Sequence, residues 1–172
     1  METIEIILQG IGITLGYVAS LDKNKQKIIL YACISNLVSL MLFLVTKRYD
    51  GVAAVIVIWL RCLLFLYKDK YKTTLILWLC VTAHIVVGIV SYEDIFSLIT
   101  IITPIVTCFA YWYGSALVIK HISNIVNTLW VIYYIYVGLY LTAINTSVNI
   151  VLSIVAIYNI NKEIKNNIGI KI

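Results

Sequence analysis

The sequence predicts an all-α integral membrane protein of seven transmembrane helices, N-terminus outside and C-terminus inside. Three observations predict it. Apolar runs of about 17 to 23 residues recur along nearly the whole chain, and each can cross a hydrocarbon core of roughly 30 Å at about 1.5 Å per helical residue. Of 172 residues, 62% are hydrophobic and only 12% charged, about half the charge of a typical soluble domain. The basic residues gather in alternate short loops. No stretch is left over for a soluble domain, so residues 1–172 form a single membrane domain.

The first segment runs from about Thr3 to Ser20 and carries Gln9, Gly10, Gly12 and Gly16. It opens with Glu2 and Glu5 and has no positive n-region, so it is expected to be a membrane helix rather than a cleaved signal peptide. Segment two is about Ile28 to Thr46. Asp50 is placed to cap segment three, about Gly51 to Tyr67. Segment four is about Thr73 to Val90. Glu93 and Asp94 then precede segment five, about Ile95 to Tyr113, where the helix dipole favours acids. Segment six is about Ala116 to Val137, and segment seven about Thr142 to Ile160, followed by a polar cytoplasmic tail over 161–172.

Charge sets the orientation. With the N-terminus outside, the inner side holds Lys23, Lys25, Lys27, Lys68, Lys70, Lys72, Lys120, Lys162, Lys165 and Lys171. The outer loops hold only Lys47 and Arg48. That bias follows the positive-inside rule. The net charge of +5 therefore reports topology, and no nucleic-acid partner is expected. The four cysteines all fall in apolar segments without metal-ligand spacing and are expected to pack. No Ser/His/Asp set or glycine-rich phosphate loop is present. Neither an enzyme nor a cofactor is expected.

Residues 34–38 read Ile-Ser-Asn-Leu-Val and residues 122–126 read Ile-Ser-Asn-Ile-Val. A shift of 88 residues pairs Asn36 with Asn124, and a shift of 91 pairs it with Asn127. Residues 1–67 would then be a first three-helix repeat, 73–90 a linker helix and 95–160 a second repeat. An odd linker lets the two units keep one orientation, the parallel-repeat arrangement.

This layout, with the basic first inner loop, Trp59-Leu60-Arg61, and Trp130-Val131-Ile132-Tyr133-Tyr134 ahead of Gly138, resembles the YgjV-type bacterial inner membrane proteins. The three-plus-one-plus-three plan is also similar to the SWEET and PQ-loop carriers. The resemblance implies location in the bacterial cytoplasmic membrane and a carrier-like fold. The chain departs from those carriers in having a single proline, Pro104, and no Pro-Gln dipeptide.

Amides inside a membrane segment are costly unless they meet a partner or a wet cavity. Asn36, Asn127 and Asn149 fall near mid-membrane. Asn124 and Asn127 share a helix face, and Tyr134 follows seven residues on. Carriers bind solute at this depth, at the repeat interface. The amides are expected to hold a small polar solute while Trp130 or Tyr134 stacks on it. The bland alternative is that the asparagines hydrogen-bond between helices, worth about 0.6 kcal/mol each.

Arg61 lies about 10 Å from the inner end of its helix. It either snorkels to the headgroups or faces the bundle and pairs with an amide, a tyrosine or an anionic solute. His84 in the linker is expected to be a structural residue. Ser97, Thr100, Pro104, Thr107 and Tyr111 form a stripe that either lines a path or satisfies its own backbone. Two functions fit. One is a carrier or facilitator for a small polar solute, with Asn36, Asn127, Asn149, Trp130, Tyr134 and Arg61 as contacts. The other is a membrane interaction or scaffold protein without flux. The lipid bilayer is the partner implied outright, and monomer and homodimer both remain open.

Overall fold

The boundary between the first two helices is set by two polar residues. Asn24 Oδ1 accepts the backbone N–H groups of Gln26 and Lys27 at 2.9 and 3.3 Å, donors that a first helical turn leaves unpaired. Asp22 accepts the Asn24 N–H at 2.8 Å. In the computed structural model of the chain, which describes residues 2–45, 52–71, 73–90, 92, 95–136 and 138–169, α1 (Glu2–Leu21) thus gives way to α2 (Lys25–Val45). Helix α3 (Val52–Leu66) leads through the single turn α4 (Lys68–Tyr71) to α5 (Leu75–Val90). Then come α6 (Ser97–Tyr113), α7 (Ala116–Tyr136) and α8 (Tyr140–Gly169).

Apart from α4, these are seven long helices, and the described residues contain no strand. By length and composition α1, α2, α7 and α8 can each cross a membrane, while α3, α5 and α6 are apolar but shorter. Isoleucines such as Ile6, Ile89, Ile125 and Ile144 point outward, as expected where the surroundings are lipid.

Two expected boundaries move. The Asn24 cap starts α2 at Lys25 instead of Ile28. Helix α8 runs on to Gly169 rather than ending at Ile160, because 161–168 contain no proline or glycine to stop it. Glu163 in this extension pairs with Lys23 of the α1–α2 loop. The Asp50 cap, the acids Glu93 and Asp94, and Lys47, Arg48, Lys72 and Lys171 lie outside the described residues.

Helices adjacent in sequence pack side by side, and α8 returns to α1 to close the ring. Helix α5 lies against α3 and α6, while α2 touches α7 and α3 touches α6. One end of this bundle is basic. There Lys25 Nζ donates to the Gly114 carbonyl at 2.6 Å and Lys68 Nζ to the Trp112 carbonyl at 2.7 Å. Both lysines meet the carbonyls at the end of α6, where a helix carries partial negative charge. The C-terminal ends of α1, α3, α6 and α8 therefore share this end.

Packing is uneven. Ile28, Ile29, Cys33, Cys62, Phe65, Leu77, Cys80, Val81, Cys108, Tyr111, Trp112 and Ile119 form one buried cluster, drawn from α2, α3, α5, α6 and the start of α7. Phe65 meets Trp112 edge-to-face at 5.1 Å between centroids. The four cysteines are buried and free. Helices α1 and α8 contribute nothing to this cluster. At Gly88 a Cβ would fall 2.4 Å from Ile101 Cγ1, so the absent side chain lets α5 and α6 approach.

The turn from α7 to α8 uses Gly138 at φ 79°. Its N–H donates to Ile135 O at 3.2 Å, and Leu139 N–H donates to Tyr134 O at 2.7 Å. This is the Schellman pattern that closes a helix on a left-handed residue. A Cβ there meets nothing, so the cost of substitution is conformational. Gly138→Ala should lower stability by about 1–2 kcal/mol and Gly138→Asn by less, read as a drop in the unfolding midpoint in detergent.

Candidate solute-binding site

Three of the membrane asparagines meet at one cavity. It has a volume of about 250 Å³ and lies between α1, α2, α7 and α8, with Tyr111 of α6 on its wall. Asn36 comes from α2, Asn127 from α7 and Asn149 from α8. Ser35, Ser123, Ser153, Tyr31 and Lys120 also line it. On α7, Lys120, Ser123 and Asn127 are spaced three and four apart, so one helical face supplies all three. Asn149 and Ser153 do the same on α8. Gly16 of α1 packs beside the Asn149 amide, which lies 3.7 Å from where a Cβ would be, an ordinary contact distance.

The polar groups are incompletely paired. Asn36 Nδ2 donates to Ala32 O at 2.7 Å. Asn149 Oδ1 accepts from Ser20 Oγ at 2.9 Å, and its Nδ2 reaches Asn145 O at 3.4 Å. Ser153 is 3% exposed, and its Oγ has no partner among the described residues. Lys120 is also 3% exposed and donates to the Ser20 carbonyl at 2.6 Å. Ser20 thereby ties α1 to both α7 and α8.

A second, wider cavity of about 810 Å³ lies toward the opposite end of the bundle. Gln9, Ser39, Thr142 and Asn145 line it, and it shares Gly16, Ser35 and Asn149 with the first. The two adjoin along the seam of α1, α2 and α8; we call the wider the vestibule and the smaller the chamber. At the lysine end the Lys120–Ser20 bond links α1 to α7, and the Lys23–Glu163 pair links the α1–α2 loop to α8.

The other expected contacts lie elsewhere. Trp130 and Tyr134, four apart on α7, stack on each other at 5.4 Å and 27°. Tyr133 meets Trp130 edge-on at 5.5 Å. Neither Trp130 nor Tyr134 is part of the chamber wall, because each ring finds its neighbour along the helix. Arg61 does not snorkel. It is 5% exposed inside the cluster of α3, α5 and α6. Its Nη1 donates to Pro104 O at 3.1 Å and lies 3.5 Å from His84 Nε2. The guanidinium stands 5.5 Å from the Tyr111 ring centre, and Tyr111 separates it from the chamber. Its Nε is unpaired among the described residues.

The stripe on α6 serves its own helix. The Thr100 and Thr107 hydroxyls of the stripe donate to Ser97 O and Thr103 O, each at 2.7 Å, as the neighbouring Thr103 does to Ile99 O, and of the stripe only Tyr111 reaches the chamber. Lys120, counted above among the inner-loop lysines, is a chamber residue. Its signal was present in the sequence: it lies beyond Ala-Leu-Val-Ile, already a turn inside the apolar segment, and three residues before Ser123.

A family model for bacterial inner membrane proteins, Imp-YgjV, matches residues 3–164. The chain belongs to the Imp-YgjV family. No curated protein and no solved structure matches it. Membership places the chain in the bacterial inner membrane, in agreement with its several apolar helices. The amide chamber is thus a polar cavity of an Imp-YgjV protein, held within its membrane-spanning helices.

Water should reach the chamber through the vestibule. With the four native cysteines replaced by alanine, single cysteines at Gln9, Ser39 and Asn145 should react fastest with a charged thiol reagent. A cysteine at Asn127 should react more slowly, and one at Leu77, fully buried in the packed cluster, should not react. Equal rates at Asn127 and Leu77 would mean that no such path exists.

Proposed function

We propose that the chain is a carrier or facilitator for a small polar solute, which binds in the amide chamber. The observation that carries this reading is the convergence of Asn36, Asn127 and Asn149 from three helices on one cavity of about 250 Å³. At about 30 Å³ per water that is roughly eight water volumes, enough for a solute of a few heavy atoms. Helix glue alone would leave such amides in packed seams. Here Asn127 faces the cavity and has no hydrogen-bond partner among the described residues.

The helix arrangement favours alternating access between two three-helix units. Exchanging α1–α2–α3 with α6–α7–α8 carries each of their contacts onto another. The α1–α2 contact maps on α6–α7, α2–α3 on α7–α8, and α1–α8 on α6–α3, while α2–α7 maps on itself. Both ends of α7 (Ala116–Tyr136) follow those of α2 (Lys25–Val45) by 91 residues, the register that pairs Asn36 with Asn127. Helix α5 is then the linker. In this reading the vestibule is the open side of one state, and the Lys120–Ser20 and Lys23–Glu163 contacts are its closed side.

A thermal-shift panel on purified protein tests the reading, with formamide, acetamide, glycerol, formate, acetate and lactate as probes. At least one should raise the unfolding midpoint, and the same solute, radiolabelled, should exchange several-fold faster in proteoliposomes than in protein-free vesicles. Asn127→Leu, which fills the chamber with an apolar side chain, should abolish both effects while the midpoint without solute stays within a few degrees. No stabilisation by any probe and no exchange would leave the scaffold alternative.

A further inference from the structure

We infer that the chamber takes a small organic monoanion, its carboxylate against Lys120. This rests on the carrier reading above, whose site it shares. The argument begins with the charge of the lining. Lys120 is the one ionised side chain among the residues that line the chamber, and the other polar groups are neutral amides and hydroxyls. An ammonium has three donors, and the Ser20 carbonyl takes one of them. That carbonyl belongs to the last turn of α1, so it offers partial charge only. The ion pair among the described residues is Lys23–Glu163, on the surface. Asp22 acts on Lys120 electrostatically but from beyond ion-pair distance, and its carboxylate is turned to the Asn24 N–H.

A nearly fully buried ammonium with no carboxylate at ion-pair distance is strongly disfavoured. A bound anion supplies what the lining lacks. The remaining partners suit an organic rather than a bare inorganic ion. Asn127 lies seven residues along α7 from Lys120, about 10 Å, and Ser123 stands between them on the same face. With the unpaired Ser153 hydroxyl, they offer donors and acceptors to a solute with a hydroxyl or carbonyl group next to its carboxylate.

Matched pairs of near-equal size isolate the charge. Calorimetric titration of the intact protein in chloride-free buffer would compare lactate with lactamide, glycolate with glycolamide, and acetate with acetamide. A hydrogen bond to a charged group is worth about 1.5–3 kcal/mol, so the acids should bind about tenfold or more tightly than their amides. Lys120→Gln should bring that ratio to about one, and Lys120→Arg should restore most of it. Asn127→Ala should weaken acid and amide alike, leaving the ratio unchanged. Amides that bind as well as acids would overturn the inference and leave the carrier reading standing. Chloride displacing lactate with equal affinity would overturn the carboxylate assignment. Binding of neither member of any pair would overturn both readings. The wild-type ratio decides the matter even if a Lys120 variant fails to fold.

Discussion

Hydrocarbon supplies no hydrogen bonds, and each polar side chain carried into the membrane by these helices has to find its partner within the bundle. The structure answers that demand in three ways. Threonines on α6 return their hydroxyls to their own helix. Lysines at the basic end cover the carbonyls that α6 and α1 leave unpaired. The asparagines of α2, α7 and α8 surround a cavity instead. The third answer leaves hydrogen-bonding capacity over, and Lys120, bonded to one carbonyl, adds to it.

That division follows the packing. Aromatic rings and cysteines fill the space among α3, α5 and α6. Close fit at Gly88 and Ile101 continues it between α5 and α6. On the other side α1 offers Gly12 and Gly16, and α8 offers Ala143, Ser153 and Ala156, so small residues face the interior. Many large side chains on these two helices, among them Ile6, Val151 and Ile154, point outward. A bundle filled on one side and hollow on the other is a consequence of where the sequence places its bulk.

Much of the fold was legible because apolar run length and loop lysines report directly on the solvent each residue meets. Segment limits derived from hydropathy fall within three residues of the observed helices except at the end of α8. There the chain leaves the apolar pattern yet stays helical, since Asn, Lys and Glu without a proline do not end a helix. Depth in the sequence put Asn36, Asn127 and Asn149 at one level of the membrane but left open whether they line a cavity or join helices. Only the packing brings the three to one cavity. Trp130 and Tyr134 share the α7 face with Asn127 but lie one and two turns farther along, and periodicity says nothing of whether a cavity extends that far. Arg61 was ambiguous for a related reason. Its distance from the helix end permits snorkelling, and only the neighbouring Pro104 carbonyl and His84, forty-three and twenty-three residues away, settle its direction.

The two cations inside the bundle share a property that sequence position hides. Neither Arg61 nor Lys120 meets a carboxylate at ion-pair distance among the described residues. Arg61 is held by a backbone carbonyl and the face of Tyr111, and Lys120 by another backbone carbonyl. Dipoles steady a charge without cancelling it. Mobile ions, which would screen the pair in solution, have no access through lipid or the packed half. The Tyr111 ring that covers Arg61 also borders the chamber, so both charges bear on the same small volume. A cationic solute would enter against that field, and a neutral one would gain little from it. The wall of neutral amides and hydroxyls adds no opposing charge of its own to that field and supplies the directional contacts that a charge alone does not.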